Sequence, residues 1–155
     1  MTTPHRPDIE PLREMLHRAL ARYLTVRPQG FTLEAGARPR PSLEVRILGY
    51  GGARTLYRKR RPHCRSLDGV SSITHQDRRC ASCDRKEACV PQVRVDLIAD
   101  TQPFRLLLSH TSARNFLSYE ARLRANRQRL EDLLHTLTVV ERGSWGEVRF
   151  ATKGP

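Results

Sequence analysis

The sequence predicts an α+β fold, mainly β, in which a small antiparallel sheet curls into a barrel and one helix separates two groups of strands. Apolar and polar residues alternate in several short stretches, as half-buried strands require. Only two stretches, near residues 8–24 and 112–125, carry apolar residues at helical spacing. Between the first strand and the next, residues 51–91 show no periodicity and hold all four cysteines.

Residues 8–24 read as an amphipathic helix. Asp8 suits the N-cap, Glu10 and Pro11 suit a first turn, and Ile9, Leu12, Leu16, Ala19, Leu20 and Tyr23 recur at helical spacing. Pro28 bars its extension. The helix either packs on the domain or serves self-association or a protein partner. Residues 34–41, EAGARPRP, read as linker, so a helix and linker over 1–41 are expected ahead of a domain over 42–155.

Leu43, Val45 and Ile47 alternate with Glu44 and Arg46 in a strand expected to end at Gly49-Tyr50-Gly51-Gly52. Val93, Val95, Leu97 and Ala99 alternate with Arg94 and Asp96, and a turn at Asp100–Pro103 leads to a strand over Phe104–Leu108. A helix over Ser112–Ala125, capped by Thr111 or Ser112, carries Phe116, Leu117 and Leu123. Residues 127–134 extend it or form a short turn. Leu137–Glu141 and Glu147–Ala151 form a hairpin turned through Arg142-Gly143-Ser144. This order fits an OB-like barrel with an N-terminal helix, an insertion over about 51–91 and one helix before the C-terminal hairpin.

The chain has 155 residues, the size of one domain. Leu, Ile, Val and Phe make up 36 of them, just above the ~20% region where charged chains stay disordered, so the core is lean. Lys and Arg total 28 against 16 Asp and Glu, a formal charge of +12. Of these cations only Lys59, Lys86 and Lys153 are lysines. Arginine forks grip phosphate bidentately and stack on bases, which suits nucleic acid, although arginine-rich coding produces the same bias with no functional meaning. No apolar run reaches the roughly 18–20 residues of a membrane span. The start MTTPHRPDIE lacks an apolar signal stretch, so a cytoplasmic protein is expected.

The cysteines are spaced Cys64-x15-Cys80-x2-Cys83-x5-Cys89. A loop of this length in a small domain needs something to tie it down. A C-x-x-C pair presents two thiolates on one turn, and two distant cysteines complete a tetrahedron, the donor set of structural Zn²⁺. Arg78, Arg79, Arg85 and Lys86 would offset the negative charge of such a centre. An iron–sulfur cluster takes the same ligands, and free thiols are the remaining alternative. His63 and His75 read as solvated loop histidines. No deaminase H-x-E, Walker A, H-E-x-x-H, G-x-S-x-G or kinase motif is present, and no enzyme is expected.

Tyr57-Arg58-Lys59-Arg60-Arg61-Pro62-His63-Cys64-Arg65 carries five cations, four running into the first cysteine and Arg65 after it. Single-stranded nucleic acid is bound by phosphate neutralisation and base stacking on aromatic residues. Arg58, Lys59, Arg60, Arg61 and Arg65 are therefore the expected phosphate contacts. Tyr50, Tyr57 and Trp145 are the expected stacking platforms, each with core packing as its alternative.

Cys64-Arg65-Ser66-Leu67-Asp68-Gly69, then Cys80-Ala81-Ser82-Cys83, Cys89, and Thr111-Ser112 opening a helix with Phe116 and Tyr119 resemble a group of phage and mobile-element proteins. The group is zinc-containing, single-stranded-DNA-binding-like and of OB type. The resemblance covers roughly residues 43–150, with Ser109-His110 standing where the pattern has proline. It implies Cys64, Cys80, Cys83 and Cys89 as zinc ligands, Asp68-Gly69 as the turn after the first ligand, and a role in replication or recombination. The competing expectations are a protein-interaction subunit of a nucleic-acid-processing assembly and an iron–sulfur subunit of a nucleic-acid enzyme.

Overall fold

The computed structural model describes residues 22–68, 72, 74, 79–83 and 88–153. Residues 8–21 of the expected N-terminal helix lie outside them. Among the described residues the chain runs β1 (Arg22–Tyr23), β2 (Thr25–Arg27), β3 (Gly30–Thr32), β4 (Ser42–Arg58), β5 (Arg61–Ser66), β6 (Val90–Ala99), β7 (Gln102–Ser109), one helix (His110–Ala125), β8 (His135–Arg142) and β9 (Trp145–Thr152). The main sheet has the order β1-β7-β6-β4-β8-β9, with β5 also paired to β4. All its pairs are antiparallel except β1 with β7. The fold is mainly β with one described helix, as the alternation predicts.

Two expected boundaries are overturned. Arg22 and Tyr23, in the last turn of the expected helix, are extended and pair in parallel with Phe104 and Arg105, and the Leu24 N–H donates to the Arg105 carbonyl at 2.9 Å. An edge strand offering unpaired backbone groups outweighs the helical spacing of so short a segment. The β3 residue Phe31 is fully buried, so the packed body begins well before residue 42. The first long strand does not end at its glycines either. β4 runs through them to Arg58, because β6 pairs along Arg46–Thr55 and supplies the hydrogen bonds that low propensity alone would not secure.

Leu48 is an extra residue in β4. Ile47 pairs with Leu97 and Gly49 with Asp96, so the register shifts by one residue at Leu48. Such a bulge changes which residues face the core. Before it, Leu43, Val45 and Ile47 point into the core; after it, Tyr50 and Gly52 continue that face opposite Val95 and Val93 but are exposed, while Ala53 and Thr55, on the other face, are buried.

The sheet is not a closed barrel. β7 and β9, the strands that would have to meet, do not pair. Both edges are already occupied at the point of approach. The Ser112 hydroxyl accepts from the Val148 N–H at 2.9 Å, and Asn115 Nδ2 donates to the Val148 carbonyl at 3.0 Å and to Glu147 at 3.0 Å. Side chains from the first turns of the helix thus satisfy β9 in place of a neighbouring strand, while β1 takes part of β7. The expectation that Ser112 caps the helix is corrected by the same contact, since its hydroxyl is spent on β9 and Ser109 stands at the N-cap.

Phe116, Tyr119 and Leu123 form the buried stripe of the helix and pack on Val45, Ile47, Val95, Leu106, Leu137 and Phe150. One polar network lies inside. His135 is fully buried, with Nδ1 2.7 Å from the Tyr119 hydroxyl and Nε2 2.8 Å from the Leu130 carbonyl. A carbonyl only accepts, so Nε2 carries the proton and Nδ1 accepts from tyrosine. Burial pushes the His135 pKa below its usual 6.5.

Replacing Asn115 with alanine is expected to destabilise the fold by about 1–3 kcal/mol, measured by urea titration, because it strands buried backbone on β9. The folded His135 resists a proton that the unfolded chain accepts. Stability is therefore complete above pH 6.5 and falls as the pH drops through the folded pKa. Melting temperatures measured across this range should decline toward acid, and the decline should shrink in His135→Gln.

Candidate functional site

The basic tract forms the end of a β-hairpin. Arg58 pairs with Arg61, so Lys59 and Arg60 alone make the turn, with φ of 48° and 64°. Two left-handed central residues define the type I′ turn, whose twist suits a hairpin but which favours Asn-Gly. Side chains with a Cβ are strained there. Arg58, Lys59, Arg60 and Arg61 are all exposed, and none forms an ion pair with a described carboxylate. The β6–β7 hairpin uses the same turn at Asp100 and Thr101, but there Asp100 is paired with Arg40.

β5 leads from the basic tip back toward the cysteines. Cys64 pairs with Leu56 on one side of β4. Cys89 immediately precedes β6, whose Val90 pairs with Thr55 on the other side. The two thiols reach the same end of β4 from opposite edges. Cys80 and Cys83 sit on a tight 3₁₀ turn, closed by the Cys83 N–H donating to the Cys80 carbonyl at 3.3 Å. Three-residue spacing on such a turn places both side chains on one side.

All four cysteines line one cavity of about 20 Å³, together with Arg54, Ser66, Ser72 and Arg79. That is room for about one water or one ion. No disulfide joins any of the four. Burial pushes the Cys89 thiol up, its neighbours Cys83, Cys64 and Cys80 push it further, and Arg54 opposes them. Cys64 Sγ lies 3.2 Å from the Ser72 hydroxyl. Among the described residues, no group of three or more His, Cys, Asp or Glu already stands at metal-holding distances. The convergence is nonetheless that of four soft donors on one small cavity, the donor set that fits Zn²⁺. Of the cations expected around it, Arg79 lines the cavity, while Arg78, Arg85 and Lys86 lie outside the described residues, as do Gly69 and His75. His63 is exposed on β5.

The aromatic residues do not form one platform. Tyr57 is 41% exposed, at the base of the hairpin tip, its hydroxyl 3.5 Å from Gln92 Nε2. Tyr50 lies seven residues earlier, an odd spacing, and so takes the other face of β4. Its ring meets Phe116 edge-on at 5.1 Å, and its hydroxyl accepts from Arg124 at 3.3 Å. Trp145 lines a separate groove of about 530 Å³ where β7 and β9 fail to pair, beside Arg27, Pro28 and His110. Arg65 is engaged internally. Its guanidinium carbon lies 4.5 Å from the Tyr23 ring centre, and its Nε is buried.

Sequence reading missed Arg124 and its neighbours. Arg122, Arg124, Arg127 and Arg129 crowd the helix end and the turn beyond it, a clustering visible in the sequence but masked there by its helical context. Compared with known proteins, the chain matches no family model, no curated sequence and no solved structure.

Replacing Lys59 with Asn and Arg60 with Gly relieves two strained positions. The double variant should gain about 1–2 kcal/mol of stability in a denaturant titration.

Proposed function

We propose that this chain is a non-enzymatic binder of single-stranded nucleic acid, DNA by preference, whose four cysteines hold a structural Zn²⁺. The observation that carries the reading is the β4–β5 hairpin. Its tip presents four consecutive cations, Arg58 to Arg61, unneutralised by any described carboxylate, with Tyr57 at its base. Its second strand ends in the four-thiol cavity. Holding one end of a charged hairpin in place reduces the entropy lost on binding, and retaining strained Lys and Arg where Asn-Gly would be more stable is consistent with selection for charge at the tip.

Strand order supports an open OB-type body. β4, β6 and β7 form a meander, the helix follows, and the β8–β9 hairpin returns through β8 to β4. The zinc would close the base of the hairpin, joining β5, the 3₁₀ turn and the start of β6. A role in replication or recombination, and a protein partner or self-association through the segment read as helix 8–24, remain part of the proposal through the sequence alone.

Anisotropy of labelled single-stranded DNA, single-stranded RNA and duplex DNA over a salt series tests the reading. Five to seven phosphate contacts give a slope of log K against log salt of roughly −3.5 to −5. Lys59→Asn with Arg60→Gly should weaken binding and flatten the slope by about 2 while the protein melts higher. Colourless protein carrying one zinc is expected. Absorbance in the visible would assign an iron–sulfur cluster instead, and absence of binding at low salt would overturn the proposal.

A further inference from the structure

We infer a second nucleic-acid contact on the opposite face of β4 from the hairpin-tip tyrosine: a seat for a nucleobase formed by Tyr50, Gly52 and Arg124. The inference rests on the single-strand reading above and gives the expected stacking residue Tyr50 a site of its own, apart from the hairpin tip, with Gly52 and Arg124. The bulge at Leu48 places Tyr50, Gly52 and Arg54 on one face, in that order toward the cysteine cavity. Tyr50 is 37% exposed, and its contact with Phe116 holds the ring in place without covering it.

Gly52 is exposed, and a Cβ built on it would meet nothing within 4 Å. The backbone beside the tyrosine is therefore bare, with half-buried Val93 opposite it. From Tyr50 to Arg54 the strand advances about 13 Å, the reach of one or two extended nucleotides. A planar base laid against bare backbone beside an aromatic ring, with a guanidinium at one end for phosphate, is the chemistry of single-strand binding.

Arg124 is held by Glu120, through Nε at 3.1 Å and Nη2 at 2.6 Å, and by the Tyr50 hydroxyl at 3.3 Å, so the guanidinium is fixed beside the tyrosine with Nη1 left to meet a phosphate. Cations at a helix C-terminus are favoured by the backbone dipole alone, but Arg127 lies past the helix, and neither it nor Arg122 forms an ion pair with a described carboxylate. The helix end thus adds cationic surface beyond what the dipole calls for.

Gly52→Val tests the seat, because valine suits a strand, meets open space and fills the floor. The probe is fluorescein-labelled oligothymidylate of about 20 nucleotides. The variant should melt at or above the parent temperature and bind about tenfold more weakly. Arg124→Gln should reduce the salt slope by about one, and decides the matter should the valine variant fail to fold. Parent-like affinity in Gly52→Val, or an unchanged slope in Arg124→Gln, overturns the seat. If the hairpin variant loses binding in the same assay, the single-strand reading survives that result. A parent protein that binds no oligonucleotide overturns both.

Discussion

The register between β4 and β6 shifts by one residue at Leu48, and because side chains alternate along a strand, that one insertion reverses the face taken by every later residue of β4. Upstream of it the inward face is Leu43, Val45 and Ile47, packed under the helix. Downstream the same face carries exposed Tyr50, still against the helix residue Phe116, then exposed Gly52 and then Arg54 at the thiol cavity. Without the bulge, Gly49 and Gly51 would occupy the core side and Tyr50 would turn away from Phe116. Core, aromatic ring and cysteine cluster share one surface of one strand because of it.

The same strand ends in a turn that is less stable than it needs to be. Lys59 and Arg60 hold left-handed backbone that Asn and Gly adopt at lower cost. At the other I′ turn, beyond the opposite end of the β4–β6 ladder, the side chains are put to structural use, with Asp100 tied to Arg40. The contrast places the unexplained charge on β4–β5. Stability comes from elsewhere, chiefly from the apolar stripe of the helix and from Ser112 and Asn115, which satisfy β9 where a seventh pairing of the barrel would otherwise be required.

Much of this was readable from residue order. β6, β7, the helix, β8 and β9 follow from clean alternation, helical spacing and turn residues, although both hairpin turns are two residues long, shorter than the expected Asp100–Pro103 and Arg142–Ser144. The grouping of the cysteines followed from the chemistry of soft donors rather than from any local propensity. What could not be read depends on partners distant in sequence. The glycines of β4 look like a stop until β6 is known to pair through them, and β5 has no alternation because Pro62 and a register shift interrupt it. Tyr50 and Tyr57 are separated by an odd number of residues, which would have assigned them to opposite faces had the strand been known to continue. The open barrel hangs on two helix side chains, Ser112 and Asn115, whose destination no periodicity reveals.

β4 also joins the two halves of the fold. Ser42–Val45 pair with β8, while Arg46–Thr55 pair with β6. The first of these pairings spans most of the described chain, from Ser42 to Thr138. During synthesis the β4–β7 meander therefore emerges with Leu43 and Val45 uncovered, and they stay so until the C-terminal hairpin leaves the ribosome. Long-range pairing of this kind is slow and exposes apolar surface on the way. Truncation within β8 or β9 would consequently yield an aggregating chain rather than a smaller working one.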